Sequence, residues 1–184
     1  MKNYLFVVGV LCLTFIGKTQ NIFNFQLSTT GASPKYTFIH NSKHWQGFVQ
    51  VGTGYMLWEI GPQINPTKNI NITARVGANF LYGNNNLTIK PQLALVFFAY
   101  WKDWQLLSIN EYTPVKGIEY YYEQNLSYQN LALHLEAIYQ NGEYKPFLGP
   151  MATFPLTKGR IFFWLAKNIT SGQKLARVGY QIQF

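Results

Sequence analysis

The ionisable residues with the most informative spacing fall in two neighbouring segments. Glu119 and Glu123 lie four residues apart in one segment, and His134 and Glu136 lie two apart in the next. In an extended chain, residues an even number apart share one face. Three carboxylates and an imidazole on adjacent strands change one another's affinity for protons, which suits acid–base chemistry or cation binding. The alternative, which we favour, is a polar interior whose charges pair across it.

Period-two alternation of apolar and polar residues predicts the strands that carry these side chains. Residues 70–80 place six apolar side chains on one face and polar ones, including Arg75, on the other. Such alternation is typical of a strand with one apolar face. Helical periodicity is absent after residue 19. Turn signals divide the chain into about twelve candidate strands, at 22–28, 35–41, 45–52, 55–64, 69–81, 87–99, 104–112, 117–126, 130–140, 144–155, 159–168 and 174–184.

The last predicted strand ends on an aromatic residue and has one wholly apolar face. Tyr180, Ile182 and Phe184 share that face, whereas Gln181 and Gln183 lie opposite. This strand closely resembles the sorting signal of bacterial outer-membrane β-barrel proteins, which has a tyrosine at the fifth position from the end and a terminal phenylalanine. The resemblance implies recognition by the barrel-assembly machinery, with Tyr180, Ile182 and Phe184 as the assembly signal. It indicates no specific family and no activity.

Composition favours the same fold. Aromatic residues make up 17 % of the chain and charged residues 12 %, against about 25 % charged in typical soluble domains. Because backbone polar groups in lipid must all be paired, a membrane-spanning sheet has to close. We therefore predict an all-β protein, a closed antiparallel up-and-down transmembrane β-barrel of 8 to 12 strands, with twelve as the best estimate.

Orientation of the apolar faces towards lipid would turn the polar faces towards a lumen. The candidate ligand-binding or lumen residues are then Arg75, Lys90, Glu119, Glu123, His134, Glu136 and Arg177, and Glu59 and Lys145 share their side of the sheet.

The N-terminus carries the features of an export signal. One lysine precedes a run of about twelve apolar residues, Leu5 to Ile16, which is too short for a membrane-spanning helix of about 20 residues. We predict a signal peptide over residues 1–19 and an outer-membrane barrel domain over 20–184. Cys12, the only cysteine, falls in the predicted signal, so the mature chain would have no disulfide and no cysteine metal site.

Basic residues exceed acidic ones, but the charges are scattered. The predicted mature chain has 13 lysines and arginines against seven acids. The lack of a basic run argues against nucleic acid as a partner, and outer-membrane lipid with its phosphorylated head groups is the expected one. No cofactor and no metal site is predicted, and the sequence leaves the oligomeric state open.

Three hypotheses for function follow. The first is a narrow channel or structural membrane protein with a lumen of mixed charge. The second is an outer-membrane lipid-modifying enzyme. The triplet His40-Asn41-Ser42 contains the serine and histidine that some membrane acyl-hydrolases use. The third is a soluble periplasmic ligand-binding β-barrel with apolar faces turned inward. Since no catalytic motif appears, no catalytic residue is assigned and enzymatic activity is not favoured.

The predicted faces of the last strand can be tested with two lysine substitutions. We expect Val178→Lys to impair assembly, because a lysine on the lipid face costs roughly 2–4 kcal/mol near the bilayer midplane. Gln181→Lys, which points into the lumen, should assemble normally, and loss of Phe184 should reduce insertion. The measurement is the folded fraction in isolated outer membranes. Equal assembly of the two lysine variants would contradict the orientation.

Overall fold

The chain forms a closed barrel of twelve antiparallel strands, in a computed structural model that describes residues 20–29, 34–83, 86–114, 119–140 and 142–184. The predicted all-β fold and the best estimate of twelve strands are confirmed. The predicted signal peptide lies outside the described residues. The strands are β1 (Gln20–Ser28), β2 (Lys35–Asn41), β3 (Trp45–Gly52), β4 (Tyr55–Thr67), β5 (Ile70–Gly83), β6 (Asn86–Trp101), β7 (Trp104–Thr113), β8 (Glu119–Tyr128), β9 (Leu131–Gln140), β10 (Glu143–Leu156), β11 (Gly159–Asn168) and β12 (Lys174–Gln183).

Each strand pairs with its neighbours in sequence, and the first strand closes the sheet against the last. The seam between β1 and β12 runs from the pair Ile22–Gln183 to the pair Ser28–Arg177. At its end Asn21 and Phe184 exchange two backbone hydrogen bonds of 2.8 and 3.0 Å. The sheet therefore has no free edge. None of the described residues lies in a helix long and apolar enough to span a membrane.

The outward-facing residues are odd-numbered in β3 and even-numbered in β4, so the alternation shifts by one residue at the turn between them. Val49 and Val51 face outward before it, and Met56 faces outward after it. Gly54 in this turn has a φ of 79°, in the left-handed region that glycine adopts without steric cost. The hairpin pairs Val51 with Met56, so an odd-numbered and an even-numbered residue share the outward face.

Aromatic side chains are exposed in two bands, one near each end of the barrel. Around the end that carries Phe184, the exposed aromatic residues include Trp45, Trp101, Trp104, Tyr128, Phe154 and Phe184. Near the opposite end they are Tyr36, Tyr82, Tyr112, Tyr139 and Tyr144. Between the two bands the exposed residues include Ile60, Val76, Leu93 and Leu165. The outer wall is thus apolar with an aromatic band at each rim, the pattern of barrels that face lipid.

Two Gly-Pro dipeptides interrupt the hydrogen-bond ladders. The pairing of β4 with β5 skips Gly61-Pro62, and that of β10 with β11 skips Gly149-Pro150, whereas both dipeptides stay paired with β3 and β9 respectively. Neighbouring backbone comes so close that a Cβ atom would lie 1.7 Å from the Ala74 carbonyl oxygen at Gly61, and 1.8 Å from that of Leu165 at Gly149. Proline has no N–H to donate at such a gap. Because β4 and β10 are six strands apart in a ring of twelve, the two close approaches lie on opposite walls.

The interior has only a small apolar cluster among the described residues. It consists of Phe147, Trp164, Ala166 and Leu175 on the inner wall of β10 to β12. Many other buried side chains are polar or charged, and Glu59, Thr73 and Asn168 are at most 1 % exposed. Hydrogen bonds and ion pairs therefore have to stabilise much of the interior, since buried polar groups without partners are costly.

Two glycine substitutions test the close approach at Gly149. We expect Gly149→Ala to lower the free energy of unfolding by about 1–3 kcal/mol, because the added methyl group collides with backbone that cannot move alone. Gly47→Ala is the matched control, since its Cβ would lie 3.8 Å from that of His40, an ordinary contact. The measurement is urea unfolding in detergent. Equal stabilities would show that the sheet adjusts freely at Gly149.

Candidate functional site

A cavity of about 650 Å³ runs along the inside of the barrel. All twelve strands contribute side chains to its lining. On β7 these extend from Gln105 to Thr113, and on β8 from Glu119 to Ser127. The lining therefore reaches from one rim region to the other, as expected of a lumen rather than of a surface pocket.

Amides and hydroxyls are the most numerous polar groups of this lining. Eleven amides and six hydroxyl side chains face the cavity, together with six charged side chains, His134 and thirteen apolar residues. Several of the polar groups bond to each other, as in the 2.6 Å hydrogen bond from Thr113 to Gln92. The amides and hydroxyls are Asn24, Gln26, Thr37, Gln50, Tyr55, Asn79, Gln92, Gln105, Thr113, Tyr121, Asn125, Ser127, Gln129, Asn130, Gln140, Thr153 and Gln181.

One buried charge cluster surrounds Arg75 on β5. Its Nε lies 2.9 Å from Oε2 of Glu59, and its Nη2 lies 3.6 Å from Oε1 of Glu111. Nη1 donates a 3.1 Å hydrogen bond to Gln46, and the guanidinium stacks 4.4 Å above the centre of the Phe48 ring. Two carboxylates thus surround one guanidinium, next to the close approach at Gly61.

A second charge cluster joins β9 to β12 across the interior. Arg177 donates hydrogen bonds of 2.5 and 3.0 Å to the two carboxylate oxygens of Glu136 and stacks 4.8 Å from the centre of the Trp164 ring. The Tyr121 hydroxyl donates to Glu123 at 2.7 Å and approaches Glu136 at 3.3 Å. Because two strands separate β9 from β12, this bidentate pair projects into the lumen instead of lying along the wall.

His134 belongs to the same cluster but packs on an aromatic ring. Its ring centre lies 4.5 Å from that of Trp164, at an interplanar angle of 78°. Its Nδ1 is buried and has no hydrogen-bond partner among the described residues. Lys90 and Glu119 form a separate ion pair of 2.7 Å, and Gln140 donates to the same carboxylate oxygen at 3.0 Å.

All seven candidate residues lie on the inner side of the sheet, but they do not form one site. Arg177, Glu136, Glu123 and His134 converge, whereas Arg75 belongs to the first cluster and the Lys90–Glu119 pair is separate. Arg177 and Lys90 occupy two of the three carboxylates that suggested acid–base chemistry, and Glu123 accepts from Tyr121. The ion pairs of Arg75, Lys90 and Arg177 thus join charges on the inner side of the sheet. A ligand-binding role for these residues remains a prediction.

Sequence patterns did not identify three residues of the interior. Glu111 shares the inner face of β7 with Leu107 and Ile109, so the sequence pattern of that face is mainly apolar. Trp164 resembles a rim tryptophan but is 1 % exposed inside the barrel, and Tyr121 was not singled out. A repeat in the sequence does indicate that the two arginines have similar surroundings. The tetrapeptide Ala-Arg-Val-Gly occurs at both 74–77 and 176–179. Each copy directs its arginine inward to a glutamate and an aromatic ring.

His40 and Ser42 have separate hydrogen-bond partners. Nδ1 of His40 lies 2.9 Å from the Asn21 amide oxygen. The Ser42 hydroxyl donates to the Trp45 carbonyl oxygen at 2.9 Å and accepts from the Trp45 N–H at 3.0 Å, so it stabilises the turn. The described ranges contain no group of three or more histidine, cysteine or acidic residues arranged to hold a metal ion.

The fold is similar to that of solved porins. The KdgM porin is 15 % identical to this chain, with a TM-score of 0.52 over 90 % of this chain and 99 % of that one. The KdgM porin in complex with disordered oligogalacturonate is 12 % identical, with a TM-score of 0.52 over 90 % of this chain and 98 % of that one. No protein-family model matches the chain, and no curated protein matches its sequence. At these identities the likeness establishes the fold alone.

A double-mutant cycle tests the coupling between Arg177 and Glu136. Removing one partner of a buried pair leaves an uncompensated charge, so we expect Arg177→Met or Glu136→Leu alone to cost about 3–5 kcal/mol of stability. The double variant should lose much less than the sum of the two single losses. Unfolding by denaturant in detergent provides the free energies. Additive losses would show that the two side chains are not energetically coupled.

Proposed function

We propose that this protein forms a narrow, water-filled channel for small polar solutes in a bacterial outer membrane. The observation that carries the proposal is a cavity, lined by many amide and hydroxyl side chains, that runs along a barrel whose outer wall is apolar. A soluble binding barrel has the opposite arrangement, with apolar side chains inside and polar ones outside. Water would fill this lumen, since amides and hydroxyls line it.

Three independent features support a membrane location. Exposed isoleucine, leucine and valine side chains cover the outer wall, and exposed aromatic residues form a band at each rim. The last strand presents Tyr180 and Ile182 on the outward face that the assembly machinery is expected to recognise, and it closes the barrel against β1. The fold is also similar to that of the KdgM porin.

The charges in the lumen favour uncharged solutes over ions. Three acidic and three basic side chains line the cavity, so the lining carries no net charge with His134 neutral. Arg177 is paired with Glu136, and the amide and hydroxyl groups of the lining outnumber its remaining charged groups. Such groups recognise the hydroxyl groups of sugars. One KdgM structure contains oligogalacturonate, which makes saccharides a reasonable class of solute to test.

A purely structural role is the second candidate. The Arg75 and Arg177 clusters both occupy the interior with stacked aromatic and guanidinium groups. Interiors filled by such side chains conduct little or nothing. A barrel that is assembled in the membrane but is electrically silent and impermeable to sugars would support this role over the channel.

Planar-bilayer recordings and vesicle swelling test the channel. We expect a small conductance with weak ion selectivity, and swelling in isotonic solutions of a neutral monosaccharide. Glu136→Gln leaves Arg177 uncompensated and should shift the reversal potential towards anion preference. Arg177→Gln should shift it towards cation preference. The opposite signs follow from the two halves of one ion pair.

Lys174→Gln is the control for these shifts. It removes a positive charge from the exposed end of β12, outside the lumen, and should leave the reversal potential unchanged. Shifts of the same sign for Glu136→Gln and Arg177→Gln would contradict a conduction path past this pair.

A further inference from the structure

A small polar patch interrupts the apolar outer wall at the middle of β7 and β8. It consists of Ser108, Asn110 and Gln124, hereafter the β7–β8 patch. These residues alternate along their strands with cavity-lining residues such as Ile109 and Glu123, so they face outward. Ser108 and Gln124 are direct cross-strand partners. Ser108 and Gln124 lie near the middle of their strands, and Asn110 lies two residues from Tyr112 of one aromatic band.

The patch is the exception on this wall. Within the described strands, the other outward-facing residues away from the strand ends are aliphatic, aromatic, methionine, glycine or proline. Asn110 donates to Ser108 at 3.3 Å and accepts from the Tyr120 hydroxyl at 2.6 Å. The Gln124 amide has no hydrogen-bond partner among the described residues. An amide without a partner in hydrocarbon is costly.

We infer that the β7–β8 patch is a contact between two copies of this chain. A carboxamide carries both a donor and an acceptor, so a second copy of the same patch can satisfy it. Lipid acyl chains offer no hydrogen bonds, and head groups do not reach the middle of the wall. The inference rests on the membrane location proposed above.

Symmetry determines which residues meet. Both copies are inserted with Phe184 on the same side, so a twofold axis relating them runs along the membrane normal. Rotation about that axis keeps every residue at its own height, and Gln124 therefore faces Gln124. A ring of three or more copies would need two different faces on each chain. The single patch on the described wall fits a dimer.

Disulfide cross-linking in isolated outer membranes tests the contact. The full chain with Cys12→Ser carries Gln124→Cys in one variant and Val178→Cys in the other, and both are oxidised with copper-phenanthroline. Val178 faces outward on β12, five strands from β7 and four from β8. We expect Gln124→Cys to give a covalent dimer at least tenfold more abundantly than Val178→Cys.

Three outcomes would overturn the inference: equal cross-linking of the two variants, monomer alone, or a Gln124→Cys adduct to a protein of different mass. A protein absent from the membrane fraction would instead contradict the proposed location, so the two failures can be told apart.

An apolar variant gives a second measurement that does not depend on cross-linking. Ser108→Ala, Asn110→Leu and Gln124→Leu together make the wall uniformly apolar and should leave the barrel folded. We expect native mass spectrometry from detergent to show dimers of the unmodified chain and mainly monomers of the triple variant, with both migrating as folded barrels in unheated gels. Dimers that persist in the triple variant, or monomers of both chains, would refute the contact.

Discussion

The pairing of β1 with β12 is the constraint on which the rest of the structure depends. An open twelve-stranded sheet would leave two rows of unpaired N–H and C=O groups, which lipid cannot satisfy. The seam closes at the chain end, where Asn21 and Phe184 exchange backbone hydrogen bonds. The same strand that presents Phe184 to the outside carries Arg177 on its inner face. Closure therefore also brings Arg177 to Glu136 on β9.

The two faces of the sheet meet opposite requirements. The outer face is apolar and needs few specific contacts, whereas each charge inside requires a partner because its hydration is reduced. The two arginine clusters solve this in the same way, with a carboxylate beside the guanidinium and an aromatic ring beneath it. Each cluster lies near one of the Gly-Pro interruptions. Local backbone irregularity and buried charge therefore occur together on both walls.

Local alternation predicted the strands well because the side-chain period of a strand is a local property. The predicted strand 130–140 is observed as Leu131–Gln140, and 87–99 as Asn86–Trp101. Contacts across the barrel depend on the registers of several successive strand pairs. No single segment of the sequence determines all of these registers. The sequence therefore predicted that charges pair across the interior but did not identify the pair of Arg177 with Glu136. The inward and outward faces of β7 were harder to assign from the sequence, since the apolar Ile109 faces the lumen and the polar Asn110 faces outward.

The connections between strands are short, and the six residues between Ser28 and Lys35 form the longest. Wider barrels can fold a long loop into the lumen, where it can swing and change the bore. Within the described ranges, the side chains that narrow the lumen belong to the hydrogen-bonded wall. If the barrel conducts as proposed, its permeability is a fixed property of each molecule. Control of uptake would then act through how many copies the cell synthesises.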